Sequence, residues 1–202
     1  MNHEFCKIGS YYDALVSKYG HDPRSCDYGR PESQQRKFDV LSSVGALDGS
    51  RVLDVGCGFA DFADYLAQAE KQVNYTGIDL SLCMVTEAQR LHPLLDIRHG
   101  NVLDLQSDNT FDVVFANGIF YLLGDDAPGI MHNLILHLWS LCGQALAFNS
   151  LSTWASDPVE NEYYADPLMT VAFCRQLTPW IVLRHDYHHR DFTIYMYREL
   201  QV

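Results

Sequence analysis

Along most of this chain, stretches with the apolar pattern of a buried strand alternate with stretches that have the apolar spacing of a helix. From about residue 51 onward, apolar runs of strand length are followed by segments in which apolar residues recur at helical spacing. The pattern predicts strands at residues 51–55, 73–78, 96–99, 111–116 and 144–149, and helices at 60–68, 82–91 and 128–141. Such alternation is typical of βα units that build a mostly parallel sheet with helices on both faces. The predicted fold class is therefore α/β.

The end of the chain departs from this alternation. Residues 179–187 and 191–198 are two runs rich in β-branched and aromatic residues, and only about three residues separate them. A parallel crossover needs a dozen or more residues, so these two runs must pair as an antiparallel hairpin. We therefore predict a sheet of seven strands in which the last strand is inserted antiparallel.

The first fifty or so residues precede the first strand and carry two predicted helices. These lie near residues 10–18, with Ser10 as a candidate N-cap, and near 32–44, with Pro31 close to the first turn. Residues 19–30 between them are rich in turn formers and are interpreted as a loop or lid over the open end of the sheet. We expect one domain over residues 1–202, with a helical lid segment at 1–48 and the sheet-bearing core at 49–202.

Composition narrows the classes of protein that fit this fold. The chain has 202 residues, of which 48% are hydrophobic, which suits one domain with a full core. Its net charge of −12 disfavours nucleic acid and anionic membrane surfaces as partners. No signal peptide or membrane-spanning run is visible, and the six cysteines are scattered without a C-x-x-C pair. We expect a cytoplasmic protein with no metal site.

Two glycines follow the first predicted strand of the core and precede a helix. Gly56 and Gly58 allow a tight turn that brings the backbone against a ligand. A phosphate loop is excluded, because no Gly-Lys-Ser or Gly-Lys-Thr follows. In the dinucleotide fingerprint a third glycine would stand at position 61, where this chain has Asp61. A carboxylate there repels a pyrophosphate, which disfavours a nicotinamide cofactor without excluding it.

An acidic residue ends the next predicted strand. Asp79 lies 21 residues beyond Gly58, where a carboxylate can accept both hydroxyls of an adenosine ribose. The alternative interpretation is that Asp79 caps the following helix, for which Ser81 is another candidate.

Three motifs in order resemble the class I S-adenosylmethionine-dependent methyltransferase family. They are LDVGCG at 53–58, GIDLS at 77–81 and FDVV at 111–114, and with the closing hairpin the resemblance covers about residues 40–199. It implies a Rossmann-like fold, an enzyme, and S-adenosyl-L-methionine as the cofactor. The cofactor site that it implies consists of Asp54, Gly56, Cys57, Gly58, Asp79, Leu80, Met84, Asn101, Val102 and Asn117.

The resemblance also implies roles for some of these residues. Asp54, Gly56 and Gly58 would face the methionine part, Asp79 the ribose, and Leu80 with Met84 the adenine. The family commonly holds the adenine amine with an acid after the third strand, whereas this chain has Asn101, whose amide oxygen can accept the same proton. After the fourth strand there is no Asn/Asp-Pro-Pro-Tyr/Phe signature, which argues against amino-methylation of the kind that uses it.

The residues that would contact the methyl acceptor follow no clear sequence motif. Methyl transfer from a sulfonium is an in-line displacement that depends on alignment, and aromatic rings suit the cationic sulfur. Candidate acceptor-side aromatics are Tyr11, Tyr12, Tyr28, Phe120 and Tyr121, although ordinary packing is an alternative for each. We consider five of the nine histidines as candidate bases. We interpret His185, His188 and His189 as solvent-facing residues of the hairpin turn, and His132 and His137 as surface or boundary residues of an amphipathic helix. No general base is therefore named.

The function predicted from the sequence is transfer of a methyl group to an N or O atom of a small-molecule acceptor. The absence of an appended recognition domain and the acidic charge favour a small molecule over nucleic acid. The same fold could act on a protein side chain or a lipid-linked intermediate. A nicotinamide-dependent oxidoreductase and a non-catalytic cofactor-binding protein are further alternatives. The oligomeric state is not readable from the sequence.

Overall fold

A computed structural model describes residues 3–27, 31–106 and 111–201. Its sheet has seven strands in the order β3-β2-β1-β4-β5-β7-β6. They are β1 Arg51–Val55, β2 Asn74–Asp79, β3 Asp96–His99, β4 Phe111–Ala116, β5 Cys142–Leu151, β6 Ile181–Arg184 and β7 Asp191–Tyr197. Strands β1 to β5 pair in parallel, and β7 lies antiparallel between β5 and β6. The predicted α/β class and the antiparallel closing hairpin are confirmed.

Helices cover both faces of this sheet. They are α1 His3–Tyr19, α2 Pro31–Leu41, α3 Asp61–Gln68, α4 Leu82–Leu91, α5 Ala127–Leu141 and α6 Pro167–Cys174. Successive side chains of a strand point to opposite faces, and accordingly Val52 packs with α2, α3 and α4 while Leu53 packs with α5. Both side chains are fully buried. The sheet is thus enclosed on both sides, as parallel strands require.

Two helices differ from the sequence-based prediction. Helix α1 begins at His3, so Ser10 lies inside the helix and is not its N-cap. The longer helix brings Phe5, Ile8 and Tyr12, spaced i, i+3 and i+7, onto the wall of one cavity. Helix α6 was not predicted, because its eight residues show little amphipathic periodicity and leave Leu168 61% exposed.

Tyrosine hydroxyls tie the N-terminal segment to the sheet. The Tyr197 hydroxyl on β7 donates to the Val44 carbonyl at 2.9 Å, and the Tyr195 hydroxyl donates to the Val40 carbonyl at 2.5 Å. Val40 and Val44 are both buried. The residues around Val40 and Val44 are therefore attached to the sheet through specific hydrogen bonds.

We expect Tyr197→Phe to lower the free energy of unfolding by about 1 kcal/mol, because the buried Val44 carbonyl loses its partner. Urea unfolding followed by circular dichroism measures this change. The matched control is Tyr11→Phe, since the Tyr11 side chain is exposed and its loss of a hydroxyl should cost less than about 0.5 kcal/mol. Equal stability of the two variants would contradict the expectation.

Candidate functional site

A cavity of about 600 Å³ runs along the edge of the sheet where the parallel strands end. One part, here called the β1–β3 half, is bounded by the residues that end β1, β2 and β3 or follow them. The other part, the β5–β7 half, lies between the end of β5, the start of β7 and helix α2. Its lining residues used below are Ser33, Lys37, Glu162, His188, Arg190 and Asp191. All ten residues predicted to hold the cofactor line this one cavity.

The glycine turn forms the floor of the β1–β3 half. Gly56 and Gly58 have φ values of +73° and +55°, in the left-handed region that glycine tolerates best. The Gly56 amide donates to the Ile78 carbonyl at 2.8 Å, which holds the turn against the end of β2. Asp61 is the first residue of α3, and its carboxylate oxygens contact His21 at 2.9 Å and Gln34 at 3.0 Å.

Asp79 stands at the centre of the β1–β3 half. Its carboxylate accepts the Gly58 amide at 2.9 Å and the Ser81 amide at 2.8 Å. Burial raises the pKa of Asp79, and these two backbone donors oppose that rise. The N-cap of α4 is Ser81, whose hydroxyl accepts the Met84 amide at 3.1 Å. Asp79 is thus a buried carboxylate that joins the glycine turn to the start of α4, and it does not cap the helix itself.

Asp54 is a second buried carboxylate in the same half. It is 2% exposed and accepts the Tyr75 hydroxyl at 2.6 Å. Burial raises the pKa of Asp54 to about 7; the Tyr75 hydrogen bond lowers it, and the charges of Asp79 and Asp61 raise it. The cavity therefore gathers three carboxyl groups around the glycine turn, those of Asp54, Asp61 and Asp79.

The raised pKa of Asp54 predicts that stability falls with pH. Between roughly pH 4 and 7 the folded protein keeps a proton on Asp54 that the unfolded chain has released. The free energy of unfolding should therefore decline as pH rises, by about 2 kcal/mol between pH 5 and 7 from this group. Urea unfolding at pH 5, 6 and 7 measures the decline. Asp54→Asn should flatten it, leaving the part due to Asp79, and an unchanged slope in that variant would refute the assignment.

The predicted adenine contact, Asn101, has an internal partner. Its side-chain oxygen accepts the Leu103 amide at 3.0 Å and so caps the 3₁₀ turn Val102–Asp104. The Val102 carbonyl accepts a hydrogen bond from His137 Nε2 at 2.8 Å. Asn101 is buried. Because its side-chain oxygen already accepts one hydrogen bond in this cap, only the remaining lone pair of that oxygen and the side-chain NH₂ group are available to adenine.

A pair of asparagines shapes the loop after β4. The Asn149 amide donates to the Asn117 side-chain oxygen at 2.6 Å, and its own oxygen accepts the Gly118 amide at 2.7 Å. Asn149 is fully buried at the end of β5. This arrangement places Asn117 at the boundary between the two halves.

The predicted acceptor-side aromatics do not all reach the cavity. Tyr12, Phe120 and Tyr121 line it. Tyr11 is 40% exposed and is not among the described residues of the lining; its hydroxyl donates to Asp27 at 3.0 Å. Tyr28 lies outside the described residues.

The hydroxyls of Tyr12 and Tyr121 lie 2.7 Å apart, and Tyr121 donates to Asp27 at 2.9 Å. Burial raises the pKa of both tyrosines. They therefore remain protonated at neutral pH and cannot serve as bases. Their contact connects α1 with the loop after β4 across the cavity.

Sequence reasoning missed a buried polar cluster in the β5–β7 half. Asp191 is 2% exposed and contacts Lys37 Nζ at 2.9 Å and His188 Nδ1 at 2.7 Å. The other ring nitrogen of His188, Nε2, lies 3.2 Å from the Ser33 hydroxyl. The interpretation of His188 as a solvent-facing turn residue was wrong, since its side chain is only 16% exposed. The spacing of His188 and Asp191 was a usable signal, but their partners on α2 are about 150 residues away in sequence.

The other hairpin histidines differ from each other. His185 Nε2 lies 2.8 Å from the Ser152 hydroxyl and its ring packs beside Trp154, so the solvent-facing interpretation was wrong here as well. His189 is 65% exposed, as expected of a turn residue.

The charged segment at 160–166 is attached to the hairpin. Arg190 contacts Glu162 at 2.6 Å and also hydrogen-bonds the Tyr164 hydroxyl. Glu162 and Arg190 both line the cavity. Glu162 therefore brings one side chain of this segment into the wall of the β5–β7 half.

Two searches of the described residues bear on other kinds of function. Within ranges 3–27, 31–106 and 111–201, no three His, Cys, Asp or Glu side chains converge as a metal ion would require. Over the same part of the chain, no helix has the length and apolarity needed to cross a membrane.

Comparison of sequences identifies relatives over most of the chain. Residues 52–138 match the family described as "Methyltransferase domain". A Mycobacterium tuberculosis protein named as a methyltransferase is 30% identical over 158 residues, which is 75% of this chain and 95% of that protein. A fatty-acid O-methyltransferase of Mycolicibacterium smegmatis is 38% identical over 113 residues, covering 50% of this chain but only 41% of its own.

Comparison of structures identifies methyltransferases with a similar fold. Magnesium protoporphyrin IX methyltransferase of Synechocystis PCC 6803, solved with bound S-adenosylmethionine, superposes with a TM-score of 0.71. The match covers 98% of this chain and 99% of that one at 17% identity, a level that establishes a shared fold.

Proposed function

The chain belongs to the class I S-adenosylmethionine-dependent methyltransferases, and from that premise we propose that it methylates an N or O atom of a small molecule bound in the β5–β7 half of the cavity. S-adenosylmethionine supplies an electrophilic methyl group on a positively charged sulfur. The residues described above have two tasks. Those of the β1–β3 half bind and orient this cofactor, and those of the β5–β7 half position the acceptor.

The donor set of the β1–β3 half fits this cofactor. An ionised carboxylate offers about four hydrogen-bond sites, and Asp79 uses two of them on the Gly58 and Ser81 amides. Two sites are left for the hydroxyls of a ribose. Asp54 supplies a carboxyl group beside the methionine ammonium, whose positive charge favours the ionised form of that carboxyl. Leu80 with Met84 supplies apolar surface for adenine.

The same half fits a dinucleotide poorly. A pyrophosphate would need the free amides at the start of α3, where Asp61 stands and is fixed by His21 and Gln34. Asp79 does not discriminate between the two cofactors, because a dinucleotide also has an adenosine ribose. The carboxylate of Asp61 favours a cationic cofactor over a nicotinamide one.

The observation that carries the small-molecule proposal is the size and enclosure of the cavity. Its volume of about 600 Å³ is in the range of sites for single small molecules, and the cofactor occupies part of it. Helices α1 and α2 both contribute to the wall, through Tyr12 and Lys37 among others. Several relatives are also named for small acceptors, among them trans-aconitate and a fatty acid.

The test is an acceptor screen with radiolabelled S-adenosylmethionine. The purified protein is incubated with small hydroxylated compounds, amines and carboxylic acids, and in parallel with cell protein and total RNA. Label is expected in a small-molecule fraction, together with S-adenosylhomocysteine. Asp79→Ala serves as the inactive control. Label that enters only protein or RNA would contradict the proposed function.

A further inference from the structure

We infer that His188 is the general base of this enzyme and that its acceptor atom is the oxygen of a neutral hydroxyl group. The inference rests on the proposed function and specifies the substrate class of the same cavity. It is carried by the geometry of the buried cluster formed by Ser33, Lys37, His188 and Asp191.

Asp191 fixes the proton of the His188 ring. Its carboxylate lies 2.7 Å from Nδ1. Burial acts to raise the pKa of Asp191, but the Lys37 ammonium and His188 more than offset it and hold that pKa below its usual value. An ionised carboxylate can only accept, so Nδ1 must carry the hydrogen. The Arg190 amide hydrogen also points at Nδ1, at an N–N distance of 3.2 Å, but a protonated Nδ1 cannot accept it, and the shorter contact with the Asp191 carboxylate decides the assignment.

The other ring nitrogen is then a proton acceptor. Because Nδ1 carries the hydrogen, Nε2 of a neutral ring presents its lone pair. The Ser33 hydroxyl lies 3.2 Å from Nε2 and donates to it. Ser33 and His188 both line the cavity. The lone pair of Nε2 is thus directed at a hydroxyl of the chain itself, and a hydroxylated acceptor would have to take the place of the Ser33 hydroxyl to reach it.

The charges around His188 are paired. Lys37 on α2 contacts Asp191 at 2.9 Å, and Arg190 contacts Glu162 at 2.6 Å. His189, the next residue, lies 3.7 Å from Asp157 at a more exposed position. Lys37 and Arg190, the two permanent cations, each have a carboxylate partner, and the buried Nε of Arg190, which has no hydrogen-bond partner among the described residues, is left to donate to an oxygen atom. These surroundings suit a neutral oxygen acceptor better than an ammonium.

A base is required only for an acceptor that carries a proton on the reacting atom. A carboxylate acceptor needs no base, whereas a neutral hydroxyl must lose its proton. As the acceptor oxygen bonds to the methyl carbon, the carbon–sulfur bond breaks with its electron pair on sulfur, and the hydroxyl proton passes to His188 Nε2. The one positive charge moves from sulfur to the imidazolium, beside Asp191. That carboxylate therefore stabilises the charge that develops on His188.

The first test compares wild-type protein with His188→Gln, which keeps a polar side chain but cannot act as a base at neutral pH. The probes are phenols and aliphatic alcohols, with amines and carboxylic acids of matching carbon skeleton. We expect transfer to the hydroxyl compounds and a loss of at least about 100-fold in kcat for His188→Gln. The rise of kcat with pH should disappear in the variant. Affinity for S-adenosylhomocysteine, measured by titration calorimetry, should stay within twofold.

The matched control is His132→Gln, because His132 stacks on Phe173 at 3.8 Å and is not among the described residues of the cavity wall. Its kcat should remain within twofold of wild type. The hydroxyl inference is overturned if methyl transfer is confined to amines or carboxylates, or if His188→Gln keeps kcat within threefold. Transfer to amines would leave the proposed function intact, whereas label found only in protein would refute the proposed function itself.

A second test requires no acceptor. Nitrogen-15 NMR of the histidine rings, with S-adenosylhomocysteine present at pH 7.5, reports which nitrogen of His188 is protonated. The His188 signals are identified as those that are missing from the spectrum of His188→Gln. We expect Nδ1 to carry a hydrogen, and a ring protonated on Nε2 alone would overturn the proposal.

Discussion

Replacing Asp79 with alanine is expected to weaken the binding of S-adenosylhomocysteine at least about 100-fold. A hydrogen bond to a charged group contributes about 1.5–3 kcal/mol, and the buried carboxylate has capacity for both ribose hydroxyls. Titration calorimetry measures the change. Asp79→Asn keeps the volume and one oxygen of the side chain, and it should still weaken binding at least about 10-fold with little loss of folded protein.

The matched control for Asp79 is Asp112→Ala. Asp112 is also a carboxylate on a strand of this sheet, but it accepts the Arg51 amide at 2.8 Å at the start of β4. Its removal should leave the affinity within twofold, because Asp112 is not among the described residues of the cavity wall. If Asp79→Asn also binds within twofold of wild type, the ribose assignment is wrong.

Replacing Gly56 with alanine is expected to lower the free energy of unfolding by about 3 kcal/mol and to abolish measurable cofactor binding. The left-handed backbone at φ +73° costs a residue with a Cβ about 1–2 kcal/mol. The added Cβ would also lie 2.5 Å from Ile119 Cγ2, and overpacking of this kind costs about 1–3 kcal/mol. Ile119 is β-branched and has little rotamer freedom with which to yield.

Gly49→Ala separates these two contributions. Gly49 has a similar φ of +76°, but a Cβ there meets no atom within 4 Å among those described. Urea unfolding should therefore show a smaller loss for Gly49→Ala, due to the backbone alone. Adding Ile119→Ala to the Gly56→Ala variant should recover part of its stability. Equal destabilisation by Gly49→Ala and Gly56→Ala would show that the contact with Ile119 does not matter.

The features that the sequence predicted correctly are those that depend on neighbouring residues. The strand at 51–55 and the helix at 82–91 were bounded correctly, because a buried parallel strand and a capped helix each have a local pattern. The positions of Gly56, Gly58 and Asp79 followed from the same local reasoning, since the carboxyl ends of adjacent parallel strands share one edge of the sheet.

The features that the sequence did not predict depend on distant residues. His188 is buried because α2 lies over the closing hairpin, and no pattern near residue 188 indicates that Ser33 and Lys37 will be there. Helix α6 is short and has no clear apolar face. The β5–β7 half of the cavity is assembled from such long-range contacts, whereas the residues predicted to hold the cofactor all lie within positions 54–117.

The crystal structure of this protein with S-adenosylhomocysteine tests the account most directly. The account predicts that the ribose hydroxyls lie within hydrogen-bond distance of the Asp79 carboxylate, with the homocysteine part beside Asp54 and Gly56. The space between His188 Nε2 and the sulfur should remain open for an acceptor. A ligand whose ribose lies away from Asp79, or whose homocysteine part fills the space beside His188, would contradict the division of the cavity into a cofactor half and an acceptor half.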